Sequence, residues 1–104
     1  MPRDTSAYRQ VIVESFIASA TRSGAVRVRP IPGQPFSTTL SVACSRRLKD
    51  TGRYPLGTKF LLMVKMTDRL GGIPFLYAYH GDQVVDVTDR DARIFVSEFK
   101  RGRI

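Results

Sequence analysis

The sequence predicts a mainly β (α+β) domain. Five or six short antiparallel strands curl into a small OB-like or SH3-like barrel, or a strongly twisted sheet, and a C-terminal helix follows. Three observations predict it. Residues 58–80 alternate in polarity on either side of a Gly-Gly pair, the pattern of a β-hairpin. Residues 9–20 and 25–31 repeat that pattern around Arg22-Ser23-Gly24. Near the C-terminus the period becomes helical, with Ala92, Phe95, Val96 and Phe99 at i, i+3, i+4 and i+7.

The chain is long enough for one domain with one core, so residues 1–104 are expected to form a single basic domain. A hydrophobic content of 42% is that of a globular protein rather than a disordered one. No run approaches the roughly 18–20 apolar residues of a membrane helix. The opening MPRDTSAYRQ has no apolar stretch, so no signal peptide is expected. Cys44 is the sole cysteine and cannot form an internal disulfide. Together these features point to a cytoplasmic protein away from membranes.

In order along the chain, residues 1–8 are polar and expected to be disordered. The β-branched run Val11-Ile12-Val13 favours a strand over 9–20. The competing helix would align Tyr8, Val11, Ile12 and Phe16 behind an Asp4 or Ser6 cap. In the return strand Val26 and Val28 face one way, Arg27 and Arg29 the other. Pro30, Pro32, Gly33 and Pro35 then impose an extended loop. Residues 36–44 read as a third strand with Leu40, Val42 and Cys44 on one face, which makes Cys44 a small buried apolar group. Residues 45–52 read as one helical turn capped by Ser45 and ended by Gly52.

The central hairpin has the densest apolar run. Its first strand sets Phe60, Leu62, Val64 and Met66 toward a core and Lys59, Leu61, Met63, Lys65 and Thr67 away from it. Residues 68–72 supply the turn, and Pro74, lacking an N–H, marks the start of the second strand. There Phe75, Tyr77 and Tyr79 share one face, opposite Leu76, Ala78 and His80. His80-Gly81-Asp82 is a turn and residues 83–87 a short strand. Thr88 with Asp91 forms a capping box for a helix over 89–101, with Lys100 and Arg101 at its C-terminal end and Gly102 as the stop. The β-prone Ile94-Phe95-Val96 is the argument against that helix.

Seventeen Lys and Arg against nine Asp and Glu give a net charge of +8. That excess attracts polyanions, and DNA or RNA is the first partner class it suggests. The candidate nucleic-acid contacts are Arg27, Arg29, Arg46, Arg47, Lys49, Arg53 and Lys65 for phosphates, with Tyr77 and Tyr79 as stacking platforms. The competing account puts Phe75 and Tyr77 in the core and Tyr79 at its rim. A second functional class is a protein-interaction or assembly module with an acidic partner, including a homodimer through an exposed strand edge. A third is a small ribonuclease-like enzyme. There His80 would be the acid or base, and Arg27, Arg29 or Lys65 would stabilise the phosphorane.

Other chemistries lack their residues. One His and one Cys do not make a zinc site, and Asp82, Asp86, Asp89 and Asp91 read as turn and cap carboxylates. Gly-x-Ser-x-Gly is absent, and Leu56-Gly57-Thr58-Lys59 is no phosphate-binding loop. A Cys44–His80 dyad would need an open, electropositive thiol rather than one on an apolar strand face. Glu98-Phe99-Lys100 echoes half of a metal-dependent nuclease site, with Asp86 or Asp89 as partner, but a helix would give it the wrong geometry. No cofactor is expected, and non-enzymatic binding is the leading reading.

Overall fold

The structure is a computed structural model that describes residues 8–17, 25–67 and 72–100. Its organising strand is β4 (Lys59–Thr67), which pairs on both sides. On one side lies β1 (Arg9–Ile17), antiparallel, with Val13 opposite Phe60 and Val11 opposite Leu62. On the other side lie β5 (Phe75–Ala78), along the C-terminal half of β4, and β6 (Asp86–Val87), along its start. β2 (Val26–Pro30) extends the sheet beyond β1, and β3 (Val42–Ala43) extends it beyond β5. The resulting order is β2-β1-β4-β5-β3. The two end strands come alongside each other, so the sheet curls into a nearly closed five-strand barrel.

Alternation along the strands fills the barrel. Val11, Val13, Val28, Phe60, Leu62, Val64, Leu76 and Ala78 point inward and are buried. Val42, Cys44 and Leu48 close the interior from the β3 side. Phe60 is fully enclosed and meets the edge of the Tyr54 ring at 5.1 Å between centroids. Among the described residues Ser15 is the buried polar one, and its Oγ accepts the Gly57 N–H at 3.2 Å.

The helix α1 (Asp89–Lys100) lies outside the barrel wall. Ala92 packs with Ile12 and Ile31, and Leu61, Val87, Phe95 and Val96 surround them. Thr88 Oγ1 accepts the Asp91 N–H at 3.0 Å, so the helix begins at the expected cap. The loop that follows β2 is drawn tightly against the helix at Gly33, where φ is +95° and an added Cβ would sit 2.6 Å from Val96 Cγ1.

The barrel and its helix match the sequence reading, and several details differ. β3 pairs with β5 in parallel, which makes the sheet mixed. The strand expected over 36–44 shrinks to Val42–Ala43, because Leu40 N–H bonds Ser37 O and Ser37 Oγ bonds Thr39, forming a local turn. The strand over 83–87 shrinks likewise to Asp86–Val87. The helical turn spans Arg46–Lys49 and ends at Asp50 rather than Gly52. Met66 is half exposed rather than core. On β5 the buried side chains are Leu76 and Ala78, while Phe75 and Tyr77 lie half-buried on the outer wall. Tyr8, expected in a disordered end, is buried. The turns at 22–24 and 68–71, the stretch 1–7, the end of the 9–20 strand and Arg101 and Gly102 lie outside the described residues.

Candidate functional site

Barrel closure brings distant cations together. Where β2 and β3 face each other without pairing, a cleft of about 580 Å³ remains. Arg27 and Arg29 line one side of it, Lys49 enters from the 3₁₀ turn, and Thr38, Thr39 and Ser41 contribute hydroxyls. Arg27 is exposed on the outer face of β2, as its alternation with Val28 dictates. Arg29 is more engaged: its Nε donates to Glu14 at 3.2 Å, and its guanidinium lies 4.3 Å from the Phe16 centroid. Glu14 also meets Lys59 Nζ at 3.8 Å, and Lys59 donates to Asp89 at 2.9 Å. That contact holds the Asp89 carboxyl below its ordinary range, first through the Lys59 hydrogen bond and then through its charge.

A second group forms on the outer wall of β4 and β5. Lys65 stands opposite Tyr77 in the register, so both project from the same face. Lys65 Nζ lies 5.9 Å from the Tyr77 centroid and 5.7 Å from that of Tyr8. The His80 ring is tilted beside Tyr77 at 6.2 Å. Tyr79, just past the end of β5, is exposed. This is an aromatic and cationic strip, open to solvent on one side.

The remaining candidates have other neighbours. Arg47 is tied to the 80–82 turn: Nη2 donates to His80 O at 3.3 Å and to Asp82 O at 3.5 Å, and Nε donates to Ser45 Oγ at 3.2 Å. Arg53 is exposed, with its guanidinium 5.8 Å from the Tyr54 centroid. Arg46 is exposed on the 3₁₀ turn. The structure thus joins Arg27, Arg29 and Lys49 at one cleft and Lys65 with Tyr77 at one strip. It sets Arg47 to bracing a turn. Sequence reasoning missed Tyr8 and the seam hydroxyls. The Thr38-Thr39 pair and Ser41 were visible as polar residues, but nothing local shows that they face Arg27.

The catalytic constellations fare differently. Cys44 is buried, and that burial pushes its thiol up, with Lys49 opposing; an activated nucleophile needs the reverse shift. Glu98 and Lys100 both lie on α1, where residues two apart do not share a face. Among the described residues, no three His, Cys, Asp or Glu side chains gather as a metal site. No described helix is long and apolar enough to cross a membrane.

Comparison with protein-family models, with curated proteins and with solved structures finds no match.

Proposed function

We propose that this protein is a non-enzymatic nucleic-acid-binding domain that takes single-stranded DNA or RNA along the β2–β3 seam. The observation that carries this reading is the convergence of Arg27, Arg29 and Lys49 on one cleft from two separate segments. A cleft of one charge sign concentrates field and raises the local concentration of a polyanion beyond what scattered surface charges achieve. Guanidinium and hydroxyl donors side by side suit phosphate oxygens. Phe16 also lines the cleft, its ring covered by the Arg29 guanidinium, and the Lys65–Tyr77 strip adds a second aromatic face for bases. The test is binding of a fluorescent single-stranded oligonucleotide, as DNA and as RNA, to the native chain and to Arg27→Glu/Lys49→Glu. The reading requires binding by the native chain that the double substitution abolishes with folding intact. Equal binding by both would refute it.

The assembly-module reading is favoured by one observation, the nearly full exposure of Ile73 beside Pro74 and Phe75 at the start of β5. It requires a larger species in light scattering that nuclease treatment does not remove.

A further inference from the structure

We infer that the crevice under the 79–85 excursion is a pocket for one unpaired nucleobase; this rests on the nucleic-acid reading and names the element of the strand that the protein grips. The crevice arises from a break in pairing. β5 runs beside β4 as far as Ala78 opposite Val64, and pairing resumes with Leu61 N–H to Val85 O at 2.9 Å and Asp86 opposite Phe60. Between these points the chain bulges away from the sheet and leaves a cavity of about 260 Å³. A cavity of about 150 Å³ holds a benzene ring, and drug-sized ligands occupy about 300 Å³ or more. The volume therefore suits a single planar heterocycle.

The lining suits one too. Leu48, Leu62 and Cys44 form an apolar floor continuous with the core. Gln10 and Gln83 line the crevice and are exposed, so they sit at its mouth. Each carboxamide offers both a donor and an acceptor, as base edges require. Tyr79 forms an aromatic wall, its ring held against Gly81, where an added Cβ would approach Cε1 to 2.6 Å. Arg47 fixes this arrangement by bracing His80 O and Asp82 O from the 3₁₀ turn, and so acts as a positioning residue. Asp82 also lines the crevice, and the charges of Arg47 and the adjacent Arg46, on the turn that carries Ser45 and Leu48 into the lining, offset it for an approaching phosphate.

The test compares an ordinary single-stranded oligonucleotide with an abasic strand of the same length. Binding is followed by anisotropy and by the methyl NMR signals of Leu48 and Leu62. With the native chain the base-bearing strand should bind about fivefold or more tighter, the size of one base stacked or seated, and should shift both methyl signals. The abasic strand should leave them in place. Gln83→Trp, an exposed change that fills the mouth, should cut the affinity difference between the two strands. Unmoved methyl signals with the base-bearing strand would overturn the pocket and leave phosphate binding at the seam intact. So would an undiminished base preference in Gln83→Trp. Failure of both strands to bind would instead overturn the nucleic-acid reading itself.

Discussion

The Arg29 guanidinium donates through Nε to the Glu14 carboxylate at 3.2 Å, while Arg27, two residues away on the same strand face, is exposed. The two arginines look equivalent in sequence and are not equivalent in the fold. Arg29 must share its charge with Glu14 and its flat face with Phe16. Arg27→Ala is therefore expected to weaken oligonucleotide binding more than Arg29→Ala. It should also flatten the salt slope by about one counterion. Arg29→Ala should instead lower stability by up to about 1 kcal/mol, the scale of a partly exposed ion pair with an aromatic contact. Paired anisotropy titrations and thermal melts separate the two effects.

Tyr77 is expected to contribute through its ring. Its register partner Lys65 lies near the ring face and can place a phosphate while the ring stacks a base. Tyr77→Ala should cost about 1–3 kcal/mol of single-strand affinity, and Tyr77→Phe should bind like the native chain. Equal losses in both variants would show that the hydroxyl, not the ring, matters.

Gln34 acts as a strand neighbour where β2 stops. Its Oε1 accepts the Ile12 N–H at 2.7 Å, and its Nε2 donates to Ile12 O at 2.9 Å and to Ile31 O at 3.0 Å. Ile12 is itself buried beneath α1, so the loss of these bonds strands main-chain groups near the helix interface. Gln34→Ala should lower stability by about 1–3 kcal/mol, with Gln34→Glu intermediate because it keeps only the acceptor. Chemical denaturation at neutral pH measures both.

Cys44 links stability to alkaline pH. Burial raises its thiol pKa in the folded state, so the unfolded chain loses that proton first. Between the two pKa values the folded state binds more protons, and stability falls as pH rises. The contribution is complete below the ordinary thiol range, near pH 8.5, and is lost as pH passes through the raised value. Melts of the native chain and Cys44→Ala should differ most at neutral pH and converge as the solution becomes alkaline. A constant difference would mean that the thiol does not titrate differently in the two states.

The parts of this fold that were legible in the sequence are those fixed by neighbours along the chain. Thr88 and Asp91 set the start of α1, and the β-branched run at Val11–Val13 set β1. The second strand of the central hairpin was harder, because Phe75 and Tyr77 offer as apolar a face as Leu76 and Ala78. Only the register with Val64 and Lys65 decides which pair turns inward. Strand 36–44 failed because its Ser and Thr side chains bond locally in place of a ladder. The charges of the candidate site were plain, and their grouping was not. Lys49 joins Arg27 only because β2 and β3 meet when the barrel curls, a relation between ends of the sheet that no local pattern encodes.

The most direct test of the account is the salt dependence of single-strand affinity in the native chain beside Arg27→Ala/Lys49→Ala. If the seam neutralises phosphates, log affinity should fall linearly with log salt, with a slope of about −0.7 for each phosphate engaged, and the double variant should lose more than one such unit of slope. Superimposable lines for the two proteins would contradict it.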